Sequence, residues 1–192
     1  MSKALSEMTL EELWELFPIL LVPHQNQWET WYLEEAEQLR ERLKLEHKWR
    51  LHHIGSTALK EIWAKPTIDI LLEMPAHLEM DSLKVGLESQ GYTCMSQAQN
   101  RISFCKGYTE KGFAERVFHL HVRYFGDNDE LYFRDYLQEH KGLALEYEAL
   151  KKELCKVYEH NRDAYTEAKT AFISEWTERA KKEYGGRYTK EF

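Results

Sequence analysis

Asp69 stands inside an apolar run, Ile68-Asp69-Ile70-Leu71-Leu72, where an ionised side chain costs several kcal/mol unless it is paired or liganded. The run has strand length, so the partner must come from elsewhere in the chain. A divalent metal ion holding a phosphorylated substrate is one such partner. An ion pair with Lys65 is another, and Lys65 is itself a candidate phosphate ligand. Gly55-Ser56-Thr57 precedes this strand, between a short apolar run and a short helical segment. Backbone N–H groups at such a junction lack helical partners, glycine lets an anion approach the main chain, and two hydroxyls add donors. The alternative is a plain helix N-cap by Ser56 or Thr57.

His119-Leu120-His121 lies within Val117-Phe118-His119-Leu120-His121-Val122-Arg123. Residues two apart share one face of a strand, about 6–7 Å apart, so both imidazoles can reach one ligand or metal. Phe133-Arg134-Asp135-Tyr136 opens a C-terminal helix, and Arg134 there is either a bidentate phosphate clamp or half of a local ion pair. Tyr147 with Lys151, and Tyr165 with Lys169, have i,i+4 spacing and read as helix-face pairs rather than site groups.

The elements that must hold these groups follow from periodicity. Thr9 and Glu12 form a capping box ahead of Leu10, Leu13, Trp14 and Phe17 on one helical face, and Pro18 stops that helix. A second helix is expected over 28–45, with Trp28, Trp31, Tyr32, Ala36, Leu39 and Leu43 inward and Glu34, Glu35, Glu37, Arg40, Glu41 and Arg42 outward. The middle carries strand-length runs at 51–54, 67–72, 101–104 and 116–124, a helical segment at 80–90 and a hairpin bend at 107–112. Helical periodicity returns at 131–140, 143–158 and 163–184, where Gly185-Gly186 closes the last helix and leaves RYTKEF as a frayed tail. Helices at 9–45, a sheet core at 50–125 and helices at 129–184 predict one α+β domain over 1–192.

Composition narrows the partners. The chain has 192 residues, 43% of them hydrophobic, enough for one well-filled core. Its net charge of −7 argues against nucleic acid, which needs clustered Lys and Arg, and leaves a nucleotide or other phosphate-bearing small molecule as the expected ligand. Three cysteines without CxxC spacing indicate neither a disulfide framework nor a cysteine zinc site. With no apolar leader and no run long enough to span a bilayer, the expectation is a cytoplasmic protein with no membrane partner.

Taken together, HIGSTA, AKP, IDI, HLHV and FRDYL, with Tyr147 and Lys151 behind them, resemble the GrpB family of the nucleotidyltransferase superfamily. The resemblance implies a small mixed sheet with helices before and after it, Gly55-Ser56 as a triphosphate site and Asp69 as a metal ligand. Active superfamily members typically pair acids at alternate strand positions to hold two Mg²⁺ ions. Here the positions flanking Asp69 are Thr67 and Leu71, and Glu73 lies about 13 Å along an extended strand. A second departure is Lys60-Glu61, where the family often has Pro-Gly.

The resulting expectation is a metal-dependent nucleotidyltransferase with Asp69, His119 and His121 as catalytic and metal-binding residues, and with Gly55, Ser56, Thr57, Lys65 and Arg134 holding phosphate. The metal would be Mg²⁺ or Mn²⁺, with Zn²⁺ or Fe²⁺ suited to a carboxylate-plus-imidazole set. The alternatives are a non-catalytic nucleotide- or coenzyme A-binding module, and a metal-dependent hydrolase built on Asp69, His119 and His121.

Overall fold

The computed structural model describes residues 3–44 and 49–188. Helix α1 spans Leu10–Leu16, with Thr9 Oγ1 accepting from the Glu12 N–H and Glu12 Oε2 accepting from the Thr9 N–H at 2.7 Å. Helix α2 spans Gln27–Leu43 and buries Trp28, Trp31, Ala36 and Leu39, with Lys44 as its left-handed C-cap; the last residue of the expected 28–45 helix lies outside the described residues. Five strands follow: β1 (Arg50–Ile54), β2 (Ile68–Met74), β3 (Thr93–Ala98), β4 (Arg101–Thr109) and β5 (Gly112–Tyr124), with the short helix α3 (Lys84–Glu88) before β3. Helices α4 (Asp129–Glu139), α5 (Lys141–Tyr158), α6 (Arg162–Ala168) and α7 (Thr170–Tyr184) complete the chain. This is the expected α+β architecture.

The sheet runs β1-β2-β5-β4-β3. Strands β2 and β5 are parallel and the other neighbours antiparallel, so the sheet is mixed. Side chains alternate between its faces. Ile68, Ile70, Leu72 and Met74 of β2 and Phe118, Leu120 and Val122 of β5 share one core with Trp28 and Leu39 of α2 and with Leu87 of α3. Each fully buried large apolar side chain there contributes about 1.5–3 kcal/mol. The odd-numbered residues face the C-terminal helices, and the parallel register sets Asp69 beside His119, Leu71 beside His121 and Glu73 beside Arg123. A second apolar cluster, including Tyr132, Tyr136, Leu143 and Tyr147, binds those helices together.

Five features depart from the sequence expectation. Strand β3 was not anticipated, because as an exposed edge strand it carries no apolar alternation. The expected bend at 107–112 is a turn confined to residues 110 and 111. Gly107 instead sits where the β4–β5 register shifts, with φ +93°, and a Cβ there would lie 2.3 Å from Arg116 O. Glu35, expected to face solvent, is buried, taking a hydrogen bond from Tyr92 Oη at 2.9 Å and pairing with Lys106 Nζ at 2.7 Å. The helix expected over 163–184 breaks at Lys169, whose N–H bonds to Thr166 O rather than four residues back. The start of the expected frayed tail is tied down: Arg187 and Tyr188 both donate to Asp135 Oδ2. The rest of that tail lies outside the described residues. None of the described helices is long and apolar enough to cross a membrane.

Candidate functional site

The sheet face that carries Asp69 opens into a cavity of about 700 Å³ between the strands and helices α4–α7. Register brings Asp69 and His119 together, and strand alternation adds His121. His119 Nδ1 lies 3.2 Å and His121 Nε2 3.6 Å from Asp69 Oδ1, and the three candidate donor atoms all lie within 4.8 Å of one another. Ligands of a four-coordinate ion with bonds of about 2.0–2.2 Å stand roughly 3.3–3.6 Å apart, so the two separations from Asp69 are close to what one divalent ion needs, while a second would have no further acid from this group. Burial opposes the charge on Asp69, but hydrogen bonds from both histidines outweigh it and hold the carboxyl well below the usual carboxylate range. Burial lowers the pKa of His119, opposed by Asp69 and reinforced by Arg162.

Gly55 precedes a single 3₁₀ turn, Ser56–Ala58, at φ +70° and ψ −172°, a conformation open essentially to glycine alone. It passes directly over Asp69. Thr57 is buried within the turn, where its hydroxyl donates to Thr67 O and lies 3.0 Å from His53 Nε2. Its one O–H hydrogen is therefore committed to shaping the turn rather than free for a phosphate, although Thr57 lines the cavity. Ser56 remains on the cavity wall, hydrogen-bonded with the Tyr147 hydroxyl, whose pKa burial pushes up against that bond.

Arg134 also lines the cavity, but most of its fork is engaged. Nε and Nη2 donate to Asp135 Oδ1 at 2.9 and 2.6 Å, and Nη1 donates to His53 O at 2.9 Å. It ties α4 to the end of β1, next to the Gly55 turn, in keeping with the local-pair alternative.

The positive wall comes instead from Lys65, Lys151, Lys169 and Arg162. Lys151 is almost fully buried, with Nζ donating to Trp63 O at 2.5 Å and lying 4.9 Å from the Tyr147 ring centre. Lys169 Nζ sits 4.3 Å from the Tyr165 ring centre. Burial and then Arg162 and Lys169 bring the pKa of Lys65 to about 7, partly offset by Asp69, and burial brings that of Lys169 to about 8, opposed by Asp69 and reinforced by Arg162. Lys151 likewise falls to about 7, through burial first and Lys169 next. The i,i+4 pairs thus exist as expected, yet the same side chains face the cavity and are more than surface pairs. Their spacing was the only sequence signal, and Arg162 carried none.

Tyr108 reaches the site through the bulge at Gly107. Simple alternation would put Tyr108 on the Lys106 face; across the register shift at Gly107, whose φ is +93°, Tyr108 Oη lies 2.9 Å from His119 Nε2. Glu73 shares the sheet face of Asp69 but is closed off, accepting from Asn128 Nδ2 at 2.8 Å and the Gly126 N–H at 3.3 Å, and lying 3.0 Å from His52 Nε2. Leu71, at the position of a second strand carboxylate, is fully buried against Ile54 and Leu131.

A family model described as GrpB protein matches residues 18–179. The chain belongs to the GrpB family. UPF0157 protein YqkA of Bacillus subtilis is 31% identical over 187 residues, 93% of this chain, and the chain spans about half (52%) of that relative. The crystal structure of GrpB from Enterococcus faecalis superposes with a TM-score of 0.74 at 31% identity, covering 86% of this chain and 99% of that one. The Cid1 poly(U) polymerase in its MgGTP-bound form superposes with a TM-score of 0.51 at 14% identity, over 70% of this chain and 44% of that one. At that identity the likeness concerns the fold, which is nucleotidyltransferase-like. Within it, this GrpB chain sets Asp69, His119 and His121 beside Lys65, Lys151, Lys169 and Arg162.

Proposed function

We propose that this protein is a metal-dependent nucleotidyltransferase that takes a nucleoside triphosphate and passes its nucleotidyl group to a small acceptor. The observation that carries the reading is the convergence, in one cavity, of Asp69, His119 and His121 with Lys65, Lys151, Lys169 and Arg162 beside the Gly55 turn. Asp69, His119 and His121 would hold one divalent ion, which when bound supplies Lewis-acid polarisation of a phosphoryl oxygen. The turn and Ser56 orient the phosphates, and the buried ammonium and guanidinium groups balance charge that a second ion would otherwise meet. Helices α4–α7 line the cavity opposite the sheet, and charges held at a protein wall act more strongly than in bulk water. A fold shared with a polymerase that binds MgGTP is consistent with this reading. The acidic side chains Asp129, Glu130 and Glu178 on the cavity wall favour a small acceptor over a polyanion. Calorimetry with Mn²⁺ and a panel of nucleoside triphosphates should show binding that Asp69→Asn abolishes. No heat with any nucleotide overturns the proposal.

One observation favours a second reading: Leu71 stands where a two-metal enzyme needs an acid. A binding module that has no transfer chemistry would take the triphosphate with little dependence on divalent metal. Pyrophosphate release on turnover excludes that module.

A further inference from the structure

A second, smaller cavity of about 60 Å³ shares part of the cationic wall. Lys65, Thr67 and Arg162 line both spaces, so the two meet across these residues. Most of the remaining wall is apolar and includes Phe17, Ile19 and Leu20 after α1, and Phe113 and Val117 of β5. These walls are pinned. The Ile19 N–H donates to Glu159 O at 2.8 Å, the Ile19 carbonyl accepts from Cys155 Sγ at 3.1 Å, and the Phe17 ring centre lies 4.8 Å from that of Tyr108 and 5.0 Å from that of Phe113. Leu20 and Phe113 are half exposed and form the mouth, with the exposed Glu115 on its rim. At the inner end, Arg162 Nη1 donates to Tyr108 Oη at 2.6 Å and Nη2 lies 3.0 Å from His119 Nε2, which places Arg162 one side chain away from Asp69. Among the described residues, no hydrogen bond or ion pair engages Lys65 Nζ.

An apolar space that ends on an unpaired ammonium and a guanidinium matches a ligand with an apolar tail and one anionic head. A water-sized group needs about 10–15 Å³, so the space admits about four to six of them, well short of the roughly 150 Å³ cavity that takes benzene. The tail is therefore short and open-chain. Glu115 on the rim repels a second acid at its far end. We propose that the small cavity binds a short-chain aliphatic monocarboxylate, and that this carboxylate is the acceptor of the nucleotidyl group. The acceptor role rests on the nucleotidyltransferase reading, while the binding site does not. A carboxylate arrives already ionised at neutral pH and needs no general base. The site suits such an acceptor, because Asp69 is engaged by His119 and His121 and Glu73 by His52, Asn128 and the Gly126 N–H, so neither strand carboxylate is free to take a proton from a hydroxyl. In the transfer, a carboxylate oxygen bonds to the α-phosphorus and the bond from that phosphorus to the bridging oxygen breaks. Pyrophosphate leaves with the electron pair, and the product is an acyl nucleotide.

Calorimetry on the full chain, without nucleotide, tests the site with pentanoate as the probe. Acetate should bind about 50-fold more weakly, having lost three buried methylenes. Pentan-1-ol should bind about tenfold more weakly for want of the charged head, and benzoate about tenfold more weakly because its ring overfills the space. Leu20→Ala widens the mouth and should bring benzoate within about threefold of pentanoate. The absence of pentanoate binding, or equal affinity for pentanoate, pentan-1-ol and benzoate, overturns the site. With Mn²⁺ and a panel of nucleoside triphosphates, pentanoate should stimulate pyrophosphate release, and hydroxylamine should trap the acyl nucleotide as pentanohydroxamate. Pyrophosphate release that pentanoate does not raise overturns the acceptor role. Pentanoate binding in a protein that takes up no nucleotide overturns the transferase reading and the acceptor role with it, a result distinct from failure of the site.

Discussion

A Cβ placed on Gly55 would lie 2.4 Å from Asp69 Oδ2. The Gly55 turn and the carboxylate are therefore in contact through a bare Cα, and the residue type is set twice, by this approach and by φ +70°. Gly55→Ala should lower stability by about 1–3 kcal/mol, the usual range for a residue forced into such a conformation, and should weaken anion binding by displacing Asp69. Gly142→Ala, at an α5 position with nothing within 4 Å of an added Cβ, should be neutral or slightly stabilising. Urea denaturation of the two variants checks the contrast, and equal stabilities would count against it.

Much of this geometry was legible beforehand because it depends on alternation within single strands. Asp69 in an apolar run, and His119 and His121 on one face, need only a period of two. Tyr108 was not legible, since its face depends on the β4–β5 register shift at Gly107. Nor were the roles of Lys65, Lys151, Lys169 and Arg162 as one wall, because these residues meet only after α5 and α6 fold back over the sheet. Local spacing carries no information about such a meeting.

Glu35 marks the same limit in the core. It occupies a helix face that reads as solvated, but Tyr92 and Lys106, 57 and 71 residues away, close over it. Glu35→Ala strands the Lys106 ammonium in a largely buried position, and an unpaired buried charge is strongly penalised. A loss of about 2–4 kcal/mol is expected, scaled down because Lys106 keeps some access to water, and Glu35→Gln should lose less by retaining an acceptor for both donors. Chemical denaturation distinguishes these values from the near-zero effect of a surface glutamate such as Glu37.

The buried lysines link stability to pH. Lys65 and Lys151 titrate near pH 7 and Lys169 near pH 8 in the folded chain, chiefly because burial disfavours their charges, with repulsion from neighbouring cations adding to it at Lys65 and Lys151; the unfolded value is about 10.4. Between about pH 7 and 10 the unfolded chain binds more protons, so stability contributed at these sites rises with pH; below pH 7 the cost of burying the charges is felt in full. Lys151→Met should flatten that slope when unfolding is measured from pH 6.5 to 9.5. An unchanged slope would show that Lys151 stays charged throughout.

The same three groups make anion binding proton-coupled. A triphosphate in the cavity restores the charged form of each lysine, so binding at pH 8 should draw protons from solution. Calorimetry in two buffers of different ionisation enthalpy should give different apparent heats with the sign of net uptake. Lys151→Met and Lys169→Met should each reduce the difference. Identical heats in both buffers would place the phosphates away from this wall.

Leu71 decides whether the site is a two-carboxylate centre that lost one acid. It follows Asp69 by two residues and shares its face, but it is fully buried with Ile54 and Leu131, beneath the end of β1 and the first turn of α4. Leu71→Asp would thus bury a carboxylate in an apolar cluster instead of presenting it to a metal. Destabilisation by several kcal/mol is expected, with no gain in Mn²⁺ affinity, while Leu71→Met should cost less than about 1.5 kcal/mol. A folded Leu71→Asp variant that bound a second Mn²⁺ would show that the cluster yields and that a two-metal geometry is within reach of this chain.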